Sequence, residues 1–141
     1  GLRTPIMVRW KGTIAPRMEE ETAVSSLDLA PTILRACGQP VPPQMQGLNL
    51  LDEQALKARL AIHGECYTSK MVELDNPVTS LRWRWVIEGF QKLILSQAPH
   101  EKRGPELYDL REDPNEQHNL ARTRPEEVER LKRIADARWN P

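Results

Sequence analysis

The spacing of apolar positions changes as the chain is read. Ile6, Met7, Val8 and Trp10 crowd the first segment. With apolar residues on both alternations, residues 6–10 read as a strand covered on both faces rather than an edge. Lys11-Gly12 turns the chain and Pro16 holds the next stretch open. From Asp28 the period becomes helical, with Leu29, Ile33, Leu34 and Cys37 lining one face. Asp28 is placed as N-cap, Pro31 falls in the first turn where its missing N–H costs nothing, and Gly38 stands at the C-terminal glycine position. Pro40, Pro42 and Pro43 forbid continuation, and residues 46–51 read as a loop that docks leucines.

The second half alternates with a period of two. Residues 60–67 predict a strand with a glycine break at Gly64. Residues 81–87 and 91–95 predict a hairpin around Glu88-Gly89-Phe90, and residues 107–110 a fourth strand. Trp83 and Trp85 share one face of their strand, and Arg84 or Val86 the other. Residues 125–139 form the clearest helix. Thr123 with Glu126 suggests a capping box, and Glu126–Arg130 and Glu129–Arg133 are favourable pairs four apart. Val128, Leu131, Ile134 and Ala135 form its buried stripe, expected to share one core with Trp83 or Trp85. The organisation is thus a strand plus helix, then four antiparallel strands and a closing helix, an α+β chain whose boundary falls near residues 40–54.

Composition narrows the function classes. Twenty basic and twenty acidic residues cancel, so no overall field draws nucleic acid or a membrane surface. One Phe and two Tyr offer no stacking platform for single strands. No apolar run reaches bilayer length, and no leader pattern opens the sequence. Cys37 and Cys66 form no metal or redox motif and are expected to be free, buried thiols.

The stretch Glu106-Leu-Tyr-Asp-Leu-Arg-Glu-Asp-Pro-Asn-Glu-Gln-His-Asn-Leu-Ala121 resembles the closing signature of the sulfatases: a strand "ELYDL", a turn "DP.E" and a closing "NLA" before the last helix. Residues 1–12 are similar to the family's "GG.R.P.....PG" segment, with Lys11 where Pro is usual. Residues 26–34 with Gly38 and Gln46-Gly47 are similar to its "DL.PT.L...G" helix and loop, and Leu81-Arg82-Trp83 with Gln91-Lys92-Leu93-Ile94 to its "R....KLI" hairpin. Each match is short, but their order is specific. The resemblance implies that residues 1–43 end a large α/β domain and that residues 44–141 form the smaller C-terminal subdomain, a four-stranded antiparallel sheet packed by the last helix.

The resemblance also implies chemistry that this stretch lacks. Sulfatases cleave sulfate esters with a formylglycine made from Cys or Ser in "C/S-x-P-x-R". A calcium ion neutralises the sulfate oxygens, and Lys and His handle the leaving group. Neither Cys37, Cys66, Ser25 nor Ser26 has Pro two places and Arg four places on. The aspartates are dispersed, and Asp109, Glu112 and Asp113 are accounted for by a turn. No residue here is therefore expected to be catalytic or to bind metal. Calcium and formylglycine are expected in the full enzyme, in an N-terminal catalytic domain that precedes this chain. Arg3 and His63 are the candidates for facing substrate, Arg3 where its strand leaves the family's pocket and His63 beside Gly64, which would let a ligand approach. Lys70, Arg82 and Lys92 could meet an anion, though solvated or bridged cations are the default. His100 and His118 sit in polar loops. The expected function is the C-terminal part of a sulfuric ester hydrolase, inert alone. The alternatives are a phosphodiester or phosphonate hydrolase of the same superfamily and a non-catalytic binding module. Residues 1–40, cut from their partners, are expected to self-associate, by strand pairing or exchange of the segment between copies, or else to be disordered.

Overall fold

The computed structural model describes residues 4–69, 73, 75–97, 103–139 and 141. Residues 1–59 form one compact unit and residues 60–141 a second.

In the first unit, residues 4–25 carry no helix or strand. The strand expected over residues 6–10 is absent, because a strand exists only against a neighbour that takes up its N–H and C=O groups, and the described part of this unit holds none. Met7 is 91% exposed, and Val8 and Trp10 are exposed too. A short 3-10 turn, Ser26–Asp28, leads into α1, Leu29–Ala36. Asp28 holds the N-cap position of α1, as expected, but its side chain caps no N–H of that helix. Ser25 caps the 3-10 turn, its Oγ accepting from Leu27 N, and the Asp28 carboxylate reaches back to accept from Ser25 N at 2.8 Å.

Asp28 is fully buried. Its carboxylate also accepts from Leu48 N at 2.8 Å and takes both Arg59 guanidinium nitrogens, at 2.7 and 2.9 Å. Thr32 Oγ1 donates to Asp28 O and accepts from Leu50 N. The buried side of α1 is thus Asp28, Pro31 and Thr32, while Leu29 and Ile33 face out. Loop 48–50 has N–H groups that need acceptors, and the polar side of the helix supplies them. Gly38, at φ +66°, closes α1: its N–H donates to Arg35 O and that of Gln39 to Leu34 O, the paired bonds of a Schellman end. A further short helix, α2 (Glu53–Ala58), is capped by Asp52 Oδ1 accepting from Ala55 N.

The second unit matches the expected α+β outline. Strands β1 (Ile62–Tyr67), β2 (Leu81–Glu88), β3 (Gln91–Ser96) and β4 (Glu106–Asp109) form an antiparallel sheet in the order β1-β2-β3-β4, and α3 (Pro125–Arg138) closes the chain. Register fixes the two faces. Val86 lies opposite Leu93, and Leu93 opposite Leu107. These three pack with Val128, Leu131 and Ala135 of α3. On the other face Ile87, Tyr108 and Leu110 gather with Ile62, Trp85, Phe90 and Ile94. The expected union of Trp85 with the α3 stripe is therefore wrong by one residue of alternation, since α3 covers the Val86 face.

The start of α3 also differs. Its N-cap is Arg124 without a side-chain cap, Pro125 takes the first position, and Thr123 Oγ1 donates instead to Leu120 O. Arg130 pairs with Glu127 and Glu88, and Asp136 with Lys132 and Arg84, in place of the pairs expected four apart.

Candidate functional site

The closing stretch is built from polar side chains that bond backbone. Asp109 Oδ1 accepts from Arg111 N and Glu112 N, while its Oδ2 accepts from Gln91 Nε2. Asp113 Oδ2 accepts from Gln117 N and His118 N, each at 2.7 Å. Asn119 Oδ1 accepts from Leu107 N and Ala121 N, tying β4 to the segment entering α3. Both aspartates are held below their ordinary carboxylate range. At Asp109 burial opposes the shift, but the bonds from Gln91, Arg111 and Glu112 outweigh it. At Asp113 the Gln117 and His118 N–H groups dominate. Asp109, Glu112 and Asp113 are turn residues, as expected, and among the described residues no three His, Cys, Asp or Glu side chains gather where a metal could sit.

Glu116, the last letter of the "DP.E" turn, has a partner that the pattern does not name. Glu116 has φ +57°, a conformation that L-residues rarely hold. Its carboxylate accepts from Lys92 Nζ at 2.6 and 2.7 Å, and Lys92 is only 4% exposed. Lys92 therefore does not face solvent or an outside anion; it bridges β3 to the turn. Beside it, Tyr108 donates to Glu106 Oε2, and burial followed by the neighbouring Glu106 pushes its hydroxyl up to about 12.

His63 is half-buried on β1, opposite Val86 and so on the α3 side of the sheet. Burial, and then the positive charge of Arg138, hold its imidazole below the ordinary value. It lines a groove of about 480 Å³ with Leu60 and with Arg130, Arg133, Ile134, Ala137 and Arg138 of α3. The arginines are an omission of the sequence reading. Their spacing along α3 was visible, but nothing in it told which strand they flank. Gly64 does not open a gap for a ligand. A Cβ there would come 2.2 Å from Trp85 Cζ2, so the glycine accommodates the indole. Arg3, Lys70 and His100 lie outside the described residues. The Arg82 guanidinium stacks on the Trp83 ring at 4.2 Å, and His118 Nδ1 lies 3.6 Å from Asp113. Both cysteines are free as expected, but neither is buried: Cys37 is exposed at the end of α1, which turns its apolar side outward, and Cys66 on β1 is only partly covered.

Comparison with known proteins places this arrangement. Residues 1–136 match the family described as N-sulphoglucosamine sulphohydrolase, C-terminal. An N-acetylgalactosamine-6-O-sulfatase of Bacteroides thetaiotaomicron is 27% identical over 97% of this chain and 27% of its own length. YidJ, an uncharacterized sulfatase of Escherichia coli, is 33% identical over 84% of this chain and 22% of its own. A solved structure connected with metabolism of multiple glycosaminoglycans by Bacteroides thetaiotaomicron superposes with a TM-score of 0.66 at 25% identity, over 87% of this chain and 28% of that one. The chain spans about a quarter of the length of the relatives it matches. The ordered segments, the meander closed by α3 and the latched turn agree with that match, and the chain belongs to the sulfatases, in the family of their C-terminal domains.

Proposed function

We propose that this chain is the C-terminal part of a sulfuric ester hydrolase acting on a sulfated carbohydrate, and that it helps shape the substrate cleft without supplying the reacting groups. The observation that carries this reading is the family match over residues 1–136. Relatives named as an N-acetylgalactosamine-6-O-sulfatase and an ulvan-active sulfatase favour a sulfated sugar over a phosphodiester.

In such an enzyme calcium would neutralise sulfate oxygens and formylglycine would supply the attacking oxygen. The residues described here do not fit either group. No carboxylate cluster is available, and Cys37 and Cys66 lack the Pro and Arg that formylglycine formation requires in this family. The proposal assigns both to a separate catalytic region. It also keeps residues 1–43 as the end of the large domain. The bonds from Leu48, Leu50 and Arg59 to the α1 region support extending that part to residue 59.

The exposed side chains Met7, Val8, Leu27, Leu29 and Ile33 support a surface covered by that region in the enzyme, and by a second copy in isolation. Light scattering over a dilution series should then report self-association that Leu29→Glu with Ile33→Glu abolishes. A monomer at every concentration would refute that part.

The central test is hydrolysis. The complete protein that contains this chain should release sulfate from a 6-O-sulfated N-acetylhexosamine, and the 141-residue chain should release none. Cleavage of a phosphodiester but no sulfate ester by the complete protein would overturn the reading, and so would sulfate release by the purified chain.

A further inference from the structure

The groove between β1 and α3 has an unusual lining. Three arginines and His63 surround Leu60, Ile134 and Ala137, and no carboxylate is among them. Positions 130, 133, 134, 137 and 138 fall on one helical stripe beside the buried stripe of Val128, Leu131 and Ala135. Three nearby acids are already paired. Glu88 and Glu127 both hold Arg130, at whose Nη2 the Glu127 oxygen lies 2.7 Å away. Asp136 is taken by Arg84 and Lys132 on its other side. Arg133 is exposed and has no acidic partner among the described residues, although Glu129 precedes it by four positions.

The result is a fixed guanidinium, an unpartnered one, and an apolar floor supplied by Ile134, Ala137 and Leu60. An unpaired guanidinium presents a planar fork of donors that fits the oxygens of a sulfate or carboxylate. An apolar floor suits the C–H face of a sugar ring.

We infer that the β1–α3 groove binds the sulfate groups of an anionic glycan, with Arg133 and Arg138 as the anion-contacting residues and Arg130 as a positioned wall. The inference rests on the proposed sulfated-carbohydrate reading and extends it to a binding surface on this chain. His63, whose burial favours the neutral ring, can donate one hydrogen bond to a sugar hydroxyl or sulfate oxygen.

Binding of a chondroitin 6-sulfate hexasaccharide to the 141-residue chain, by calorimetry at 150 mM salt, is the test. Arg133→Glu with Arg138→Glu should weaken it at least tenfold. Arg9→Glu with Arg35→Glu, which changes net charge equally on exposed positions of the first unit, should leave it within about twofold. Amide spectra should place the shifts at Leu60, His63 and the last turns of α3. An equal loss in both double variants would overturn the inference. So would equal binding of the unsulfated hexasaccharide, equal binding of a DNA duplex of matched charge, or no binding. If binding fails while the complete protein releases sulfate, the groove alone is misassigned. If binding holds while no sulfate ester is cleaved, the hydrolase reading falls instead.

Discussion

The Lys92–Glu116 pair offers a sharp test of how the closing turn is held. Glu116 sits at φ +57°, where a residue with a Cβ loses about 1–2 kcal/mol relative to ordinary backbone. What keeps it there is its bidentate contact with Lys92, whose side chain is 5% exposed while that of Glu116 is 29% exposed. Glu116→Ala retains the unfavourable φ and strands a buried ammonium. Breaking a buried pair from one side costs about 3–5 kcal/mol, and water reaching the rim at Glu116 puts the expected loss near about 3 kcal/mol.

Glu116→Gly removes the same carboxylate but suits the backbone, so it should lose about 1 kcal/mol less than the alanine variant. Lys92→Met should be milder than either, at under about 1.5 kcal/mol, because it replaces the buried cation with an apolar chain and leaves a carboxylate that water can reach. The double variant Lys92→Met with Glu116→Gly should return to within about 1 kcal/mol of the parent. Urea unfolding followed by tryptophan emission reads these differences, with Trp85 against Gly64 as a reporter of the sheet. Equal losses for Glu116→Ala and Glu116→Gly would show that the backbone is not strained. A Lys92→Met loss as large as that of Glu116→Ala would show that the ammonium is not desolvated.

Three other outcomes are expected. Leu131, with no exposed surface, should cost about 2–5 kcal/mol when changed to Ala; a loss within the scatter of surface changes would mean that α3 does not dock on the Val86 face. Gly64→Ala should cost at least about 1–3 kcal/mol and shift Trp85 emission, because the added methyl overlaps the indole; unchanged emission and stability would refute that packing. Burial pushes the Asp28 carboxyl up, but Arg59, Ser25 N and Leu48 N outweigh it and hold it below its ordinary 3.8. Its contribution is therefore fully present above about pH 4 and lost as pH falls through the lower folded value. Asp28→Asn should flatten that acid limb in a pH series of amide exchange at Leu48 and Leu50, and an unchanged limb would exclude Asp28 as its source.

How far the sequence was legible follows from the range of the interactions. The sheet could be read because alternation is local: Val86, Leu93 and Leu107 each fall on one parity, and a two-residue turn at Gly89-Phe90 fixes their register. Which parity faces α3 was not local, since Trp85 and Val86 are both apolar. The outcome turns on Trp85 stacking over Gly64, a neighbour supplied by another strand. The first unit was harder for the same reason. Asp28 and Thr32 look like ordinary helix-start residues until Leu48, Leu50 and Arg59 arrive from well along the chain to claim their oxygens. Residues 6–10 carry the composition of a strand, yet pairing belongs to two segments at once. The candidate groove was half visible: the arginine spacing on α3 is local, while its wall, His63, comes from the opposite end of the unit.

The closing stretch shows why a strong family pattern can be silent about chemistry. Leu107 and Leu110 are there for the core. Asp109, Asp113 and Asn119 take up backbone N–H groups that the tight path from β4 to α3 leaves without ladder partners. Glu116 answers a lysine buried on β3. Each of these four polar positions is explained by a bond inside the domain, so none of the four needs a substrate to account for its presence. A pattern made of such latches identifies the fold with high specificity because the latches act together, and for that reason it marks the scaffold rather than the reaction. Groups open to a ligand must be sought among side chains whose partners are missing, and in the second unit that criterion leads to Arg133 and the groove beside His63.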